Sequence, residues 1–358
     1  MIASIAAAVA FHSASTVAWA DVVSYMIKAR VGGRLLEGKP LSWSKERVYL
    51  LSRDGQLIDF RPQEAKDFHK SSPRFYSYST SEIRNQLYTE FGRPFDVTGT
   101  GHYLVVHPRG QRDRWADRFE RLYRSFYHYF RVRGIKMHEP QYPLIAIVFH
   151  NRDDYRRYAD KTGSSLGPNT LGHYDDWTNR ICLFDVTGGR PSRDWSRNAE
   201  TIIHEATHQT AFNTGVHTRF VGVPRWLCEG LATHFESRGV WDANSSRTAK
   251  ERVNPDQLRA FKTYLEQRRE EGALEQLLAS DRVFRSDVLG AYGEAWALTY
   301  YLSETQPHRY GKYLTVTASR SQFQKYSAQQ RLKDFRTIFG DNLKTVEIQF
   351  LRFMRTVR

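Results

Sequence analysis

The sequence has almost no cysteine. Its 358 residues include only Cys182 and Cys228, which are too few for a disulfide scaffold. They form no CxxC pair, which argues against a zinc site built from thiolates. The sequence alone does not exclude one disulfide between them. Long apolar runs are also missing. No stretch after residue 20 reaches the roughly 18 apolar residues needed to span a bilayer, so the chain is not predicted to be transmembrane.

Acidic residues are comparatively scarce. Asp and Glu number 39 against 53 Lys and Arg, which gives a formal net charge of +14. This excess favours anionic partners, such as an anionic polymer of the cell envelope, without choosing among them. No RNP-like, helix-turn-helix or zinc-finger spacing is present, so no nucleic-acid partner is predicted. The basic residues are scattered through amphipathic stretches, which is more typical of a solvated basic surface.

The first 20 residues have the pattern of a secretory signal peptide that lacks a basic start. Ile2–Phe11 is a nearly unbroken apolar run, and Ala18–Ala20 fits an A-x-A cleavage site. Because no Lys or Arg precedes the run, a short N-terminal anchor and a buried Ala-rich helix are alternatives. The prediction is a signal peptide over residues 1–20 and a periplasmic or secreted mature protein.

Strand signals come first along the chain and helix signals follow. Residues 21–66 contain short strand candidates around an Asp54-Gly55 hairpin-turn signal, which predicts a small, barrel-like β domain. A polar, Ser-rich stretch then marks a domain boundary. In residues 67–358, the apolar run Leu144–Phe149 predicts a buried strand, and helical patterns dominate the C-terminal part. This order predicts an α+β fold for the second domain.

The clearest candidates for catalytic or metal-binding residues lie in an HExxH pattern that runs from His204 to His208. Residues four apart lie on the same face of a helix, so both imidazoles can meet one zinc ion. Glu205 is rotated by about 100° from His204, so it can reach a metal-bound water rather than the metal. We predict His204 and His208 as metal ligands and Glu205 as the catalytic base. Asn198 is the predicted cap of this helix and Gly215 its predicted end.

A third metal ligand is required, because catalytic zinc usually keeps three protein ligands and one open position. A second helix is predicted to open at Pro224. This helix carries Glu229, with 20 residues between it and His208. That interval accommodates a loop and an antiparallel return of the second helix. Glu229 is therefore placed where it can reach the metal as a third ligand.

The two segments together resemble the gluzincin metallopeptidases. The HExxH pattern is followed by Trp-Leu-Cys-Glu-Gly-Leu-Ala over Trp226–Ala232, similar to the WLxEGxA segment whose Glu is the third zinc ligand in that group. The wider stretch from Glu82 to Leu302 resembles an uncharacterised bacterial secreted branch. The resemblance implies a zincin-like domain with a small mixed sheet and a mainly helical C-terminal part, one zinc per chain with Glu229 as a ligand, and peptide-bond hydrolysis.

Further roles are predicted around this centre. Tyr292 resembles a helix-borne tyrosine that stabilises the transition state in some members of the group, with a buried structural tyrosine as the alternative. Gln209, Asn213 and Thr233 are candidate hydrogen-bond partners of the ligands, or ordinary helix residues. The strand candidate Arg180–Asp185 could pair with an extended substrate, or lie inside the sheet.

Two other functions are compatible with the same residues. A binding or scaffold protein could keep the peptidase fold without turnover, since loss of a substrate cleft does not show in sequence. A zinc hydrolase could instead cleave a non-peptide amide in cell-wall material, which the basic surface would suit. The main prediction is a secreted zinc peptidase.

Overall fold

The computed structural model describes residues 25–190, 195–242 and 248–358. The predicted signal peptide, residues 1–20, lies outside the described residues. The described chain forms two compact units, one of residues 25–52 and 58–76 and one of residues 53–57 and 77–358. None of the described helices is both long enough and apolar enough to cross a membrane.

The N-terminal unit is built on a five-stranded sheet. Its strands are β1 (Met26–Val31), β2 (Arg34–Trp43), β3 (Val48–Ser52), β4 (Leu57–Phe60) and β5 (Ala65–Ser72). They lie in the order β4-β3-β2-β1-β5, and β1 pairs antiparallel with both β2 and β5. The β1–β2 turn uses Gly32 and Gly33, whose φ angles of 54° and 80° favour glycine. The apolar core of the unit includes Ile27, Leu50 and Phe60.

This first sheet extends past the predicted boundary at residue 66. Strand β5 pairs with β1 as far as Ser72, and the compact unit reaches residue 76. The stretch has the composition of a linker because β5 is a sheet edge on which five consecutive residues, Lys66–Lys70, are exposed. Such a strand lacks the apolar alternation on which strand prediction depends, and its charges discourage edge-to-edge association.

The second unit contains a mixed sheet of five strands. Its strands are β6 (Phe95–Gly99), β7 (Tyr103–Pro108), β8 (Leu144–Phe149), β9 (Gly172–Asp175) and β10 (Arg180–Phe184). The order is β6-β7-β8-β10-β9, with β7, β8 and β10 parallel and the two outer strands antiparallel. Every residue of β8 is buried, as the continuous apolar run predicts.

Helices cover both faces of the second sheet. They are α1 (Thr80–Phe91), α2 (Arg112–Arg131) and α3 (Arg152–Thr162). Because side chains alternate across a strand, consecutive residues of β7 enter different cores. Leu104 packs in the core that contains residues of α1 and α3, whereas Val105 packs in the core that contains Trp115, Phe119 and Phe126 of α2. The sheet is therefore the middle layer of this part of the unit.

The remainder of the second unit is helical. The described helices are α4 (Ser196–Thr214), α5 (Arg225–Phe235), α6 (Arg238–Trp241), α7 (Pro255–Gln267), α8 (Ala273–Ala279), α9 (Val283–Ser286), α10 (Val288–Thr305), α11 (Pro307–Ala318), α12 (Ala328–Phe339) and α13 (Leu343–Thr356). Helix α10 is almost entirely buried and contacts α5, α7 and α13. The predicted α+β fold class is confirmed: a small mixed sheet and a mainly helical C-terminal part follow a small β unit.

Helix α4 begins earlier than its predicted cap. The N-cap is Trp195 rather than Asn198. Asn198 lies inside the first turn, where it is buried and accepts a hydrogen bond from Val186 N at 3.1 Å and donates one to Asp185 Oδ1 at 2.9 Å. It therefore joins the end of β10 to the start of α4. The helix ends at Gly215, with a φ of 87°, as predicted.

The two cysteines are free thiols, which settles the open disulfide. Cys182 lies in β10 and is buried, and burial raises the pKa of its thiol. Cys228 lies in α5, and burial likewise raises its pKa well above the usual value. Both are therefore protonated at neutral pH, which leaves them weak nucleophiles and poor metal ligands.

Candidate metal centre

Helix α4 places the two histidines of the HExxH pattern on one face. His204 Nε2 and His208 Nε2 lie 3.1 Å apart, as expected for neighbours one turn apart. The helix is fixed to the sheet by Gln209, whose amide donates to Ile145 O at 3.0 Å and to Asn179 O at 2.8 Å. The imidazoles therefore project from a helix that is anchored to β8 at a buried position.

Helix α5 brings Glu229 to the same point. Pro224 is its N-cap, and the helix packs on α4. Glu229 Oε2 lies 3.3 Å from His204 Nε2 and 3.6 Å from His208 Nε2. The ligand atoms of these three residues all lie within 4.8 Å of one another. The structure thus brings together the three residues that the sequence predicts as ligands.

The close approach of α5 to α10 depends on a glycine next to Glu229. A Cβ atom at Gly230 would lie 2.3 Å from Thr299 Oγ1 and 2.5 Å from Ala295 O. Both distances are far inside van der Waals contact, so no larger residue fits without separating the two helices. Gly230 therefore sets how near α10 lies to the group of predicted ligands formed by His204, His208 and Glu229.

The spacing and chemistry of the cluster fit a zinc ion. Two atoms about 2.0–2.1 Å from zinc at a tetrahedral angle are separated by about 3.3 Å. The three pairs of donor atoms here are 3.1, 3.3 and 3.6 Å apart. Glu229 Oε2 is buried and has no hydrogen bond of normal geometry among the described residues. Its ion-pair neighbours are the two imidazole nitrogens, which are the other two donors that a zinc ion would take.

The protonation of the cluster also depends on these contacts. Burial alone would lower the pKa of His204, but the carboxylates of Glu229 and Glu236 raise it well above its usual value. Burial alone would raise the pKa of Glu229, but the adjacent imidazoles hold it well below its usual value. A metal ion must therefore displace a proton from His204, so metal affinity falls as pH falls.

Glu205 lies outside the ligand cluster, as its rotation on α4 predicts. Its Oε2 accepts a hydrogen bond from the backbone N–H of Tyr174 at 2.8 Å. Tyr174 belongs to β9, the strand at the edge of the mixed sheet. The carboxylate of Glu205 is therefore oriented by the sheet edge rather than by the three ligand residues.

Glu236, which was not predicted from the sequence, contacts one of the predicted ligands. Its Oε1 lies 2.8 Å from His204 Nδ1, and its Oε2 accepts a hydrogen bond from Asn254 Nδ2 at 2.8 Å. A carboxylate on Nδ1 fixes the tautomer that presents Nε2 to a metal. Glu236 follows Glu229 by seven residues, which is two helical turns. That spacing is the sequence signal that could have identified it.

Replacing Glu236 by Gln is expected to lower zinc affinity by about 10- to 100-fold, because the amide is a weaker acceptor for His204 Nδ1. Competition between the protein and a chromophoric chelator would measure the dissociation constant. Glu275→Gln is the matched control, since Glu275 is half-exposed and pairs with Arg336 at 3.5 Å. Equal zinc affinities in wild type and Glu236→Gln would show that Glu236 does not support the ligand.

Tyr292 lies on α10, close enough to Glu229 and Arg225 for their charges to act on its hydroxyl. Its ring packs edge-on against Phe284 with centroids 5.5 Å apart. Burial, followed by the charge of Glu229, raises the pKa of Tyr292. The hydroxyl is therefore protonated at neutral pH and is available as a hydrogen-bond donor.

The other predicted partners of the ligands do not contact ligand side chains. Gln209 binds the backbone as described above, and Asn213 exchanges hydrogen bonds with Asn179. Thr233 Oγ1 donates to the backbone oxygens of Glu229 and Gly230. All three satisfy buried polar groups of the fold, so the alternative that they are ordinary helix residues is the correct one.

The strand predicted to pair with substrate lies inside the sheet. Over Arg180–Phe184, β10 pairs parallel with β8 and antiparallel with β9, so its backbone is already occupied on both sides. The sheet edge beside the predicted ligands is β9, whose Tyr174 donates a backbone hydrogen bond to Glu205. The four residues of β9 show no alternation of apolar and polar side chains, so no period-2 signal indicated this strand.

Part of the chain matches a family of unknown function, and the fold has distant similarity to solved structures. Residues 198–324, which include the HExxH pattern and Glu229, match a family described as a protein of unknown function, DUF1570. A search of curated protein sequences found no match.

The solved structures that resemble this chain include M1 zinc metallopeptidases from Deinococcus radiodurans. One is a mutant at 13% identity and TM-score 0.35, covering 74% of this chain and 51% of that one. Another is a mutant bound to a Tyr-Ser-Ala substrate, at 14% identity and TM-score 0.35, covering 73% and 51%. A third is at 15% identity and TM-score 0.34, covering 72% and 49%. The chain spans about half the length of these proteins.

Proposed function

We propose that the protein is a zinc-dependent peptidase that holds one zinc ion per chain through His204, His208 and Glu229. The observation that carries the proposal is the convergence of two imidazole nitrogens and one otherwise unpartnered carboxylate oxygen at a single point. Two nitrogens and one oxygen are a ligand set typical of catalytic rather than structural zinc. Three ligands leave one coordination position for water or substrate.

The residues around this point have the roles that hydrolysis requires. Zinc, when bound, lowers the pKa of a coordinated water and polarises a carbonyl group. Glu205 accepts the proton of the attacking water and passes it to the leaving amine. The neutral hydroxyl of Tyr292 donates a hydrogen bond to the oxyanion that forms. The outer edge of β9 lies beside Glu205, which holds the backbone N–H of Tyr174; the other backbone groups of this edge are offered to an extended peptide.

The first experiment is to measure metal content and peptide hydrolysis on the same purified wild-type protein. We expect about one zinc per chain and cleavage of casein or of members of a peptide library, lost on chelation and restored by added zinc. Zinc without cleavage of any peptide would support the scaffold function or a non-peptide amide substrate. Wild type that binds no zinc would overturn the proposal.

A basic cleft supports an anionic cell-envelope polymer as a second partner. The cleft has a volume of about 610 Å³ and lies between α11, the segment 133–138 and the residues after α4. Among the described residues, its lining includes five basic residues and no Asp or Glu. They are Arg133, Lys136, His138, His308 and Lys312. Within the described part of the chain, Lys136 and Lys312 form no ion pair or hydrogen bond through their ammonium groups. Uncompensated charge in a concave surface attracts anions.

The double variant Lys136→Gln, Lys312→Gln is expected to bind inorganic tripolyphosphate at least about 10-fold more weakly than wild type. Calorimetry on chelator-treated protein measures this without competition from a metal. The matched control is Lys161→Gln, Lys333→Gln, which removes the same charge from exposed positions outside the cleft. Similar weakening in both double variants would mean that net charge alone, and not the cleft, attracts the anion.

A periplasmic or secreted location is part of the proposal. It rests on the signal-peptide pattern of residues 1–20. N-terminal sequencing of the mature protein from its native host, with cleavage expected after Ala20, is the direct test.

A further inference from the structure

Arg225 lies beside the three predicted metal ligands but is not one of them. It precedes Glu229 by one turn of α5, so the two side chains meet on one face of the helix. Arg225 Nε lies 3.3 Å from Glu229 Oε1, and the arginine side chain is 43% exposed against 13% for the glutamate. The carboxylate of Glu229 therefore has Oε2 toward the histidines and Oε1 toward Arg225.

Arg225 is held at both its backbone and its side chain. Its backbone N–H donates to Asp281 Oδ1 at 3.0 Å. Asp281 is itself fixed by Arg331, which donates to its two oxygens at 2.8 and 3.2 Å. The guanidinium carbon lies 4.9 Å from the ring centroid of Phe284, within the range of a cation–π contact. These contacts restrict where the guanidinium can lie.

The same guanidinium lies near Tyr292. The ring centroid of Phe284 lies 4.9 Å from the guanidinium carbon of Arg225 and 5.5 Å from the ring centroid of Tyr292. Arg225 therefore contacts a predicted ligand directly and shares a ring contact with the residue predicted to stabilise the oxyanion.

We propose that Arg225 is a positioning residue that keeps Glu229 a one-oxygen ligand. This inference rests on the proposed zinc-dependent function. A carboxylate can bind a metal ion through one oxygen or through two, and the second oxygen would occupy the position that a catalytic site keeps open for water. A charge-assisted hydrogen bond to Oε1 opposes that second arrangement. Arg225 acts through Glu229, and no contact with substrate is required.

Cobalt(II) loading tests this role independently of substrate, because the visible absorption of Co²⁺ reports its coordination geometry and weakens as the coordination number rises above four. The comparison includes wild type, Arg225→Met and Arg225→Lys. The control is Arg259→Met, which removes an exposed arginine paired with Asp256 at 3.1 Å. If Arg225→Met does not fold, Arg225→Gln removes the same charge with a polar side chain.

We expect wild type and Arg259→Met to bind one Co²⁺ per chain with strong, four-coordinate absorption. Arg225→Met should bind Co²⁺ but lose much of that absorption, because Glu229 then binds through both oxygens, and Arg225→Lys should remain near wild type. In the zinc form, kcat/KM of Arg225→Met should fall by about 10-fold or more.

The possible failures are distinguishable. An unchanged cobalt spectrum in Arg225→Met, with one ion bound, overturns the role of Arg225 and leaves the zinc-dependent function standing. Wild type that binds neither Co²⁺ nor Zn²⁺ overturns both proposals. A wild-type spectrum of high coordination number overturns the one-oxygen arrangement, whatever the variants do.

Discussion

Replacing Glu205 by Gln is expected to lower peptide turnover by a factor of about 10² to 10⁴ while one zinc per chain is retained. The amide cannot accept a proton from the attacking water. Its oxygen can still accept the hydrogen bond from Tyr174 N, which is 2.8 Å from the carboxylate in the wild-type protein, so the orientation of the side chain is preserved. Parallel assays of zinc content and initial rate on wild type and variant measure the effect.

Glu266→Gln is a suitable control for this experiment, because Glu266 is exposed on α7. It should match wild type in both zinc content and rate. Turnover by Glu205→Gln at the wild-type rate would exclude Glu205 as the base. Loss of zinc together with loss of rate would instead place Glu205 among the residues that hold the metal.

Replacing Glu229 by Gln is expected to have the largest effect on zinc itself. The change removes the only carboxylate of the ligand cluster and also a group that raises the pKa of His204. We expect zinc affinity to fall by more than the roughly 100-fold that marks the upper range for loss of a residue behind a ligand. Glu236→Gln should fall between this variant and wild type.

Thermal unfolding gives a second measure of the same change. A ligand present at 100 times its dissociation constant stabilises the native state by about 2.7 kcal/mol, so added zinc should raise the Tm of wild type. The Tm of Glu229→Gln should not respond at the same zinc concentration. A full zinc response in this variant would remove Glu229 from the predicted ligand set and require another third ligand.

The parts of the centre that could be predicted are those set by local periodicity. The spacing of His204 and His208 dictates a shared helix face, and the structure has their Nε2 atoms 3.1 Å apart. The apolar run of β8 was equally clear, because a strand buried on both faces needs no polar residues. Glu229 could be predicted as a ligand because a helix start at Pro224 precedes it and because Trp226–Ala232 resembles the WLxEGxA segment of the gluzincins.

The parts that could not be predicted depend on contacts between distant segments or on solvent-exposed edges. Strands β5 and β9 carry no alternating pattern, so the boundary near residue 66 was placed too early and the edge beside Glu205 was missed. The placement of Tyr292 against Glu229, 63 residues apart in sequence, depends on the packing of α5 against α10, which no local pattern encodes. Asn198 was predicted to be a cap because of its residue type, but its side chain forms a tertiary hydrogen bond with Asp185 instead.

The glycine contact between α5 and α10 restricts how this centre can respond to a substrate. With no room for even a methyl group between Gly230 and the backbone of Ala295, the two helices cannot slide past each other without a steric clash. Glu229 and Tyr292 are then carried on a single rigid body. We therefore expect the short edge strand β9, rather than the α5–α10 pair, to adjust when a substrate binds, and time-resolved hydrogen exchange should find protection changes there first on inhibitor binding.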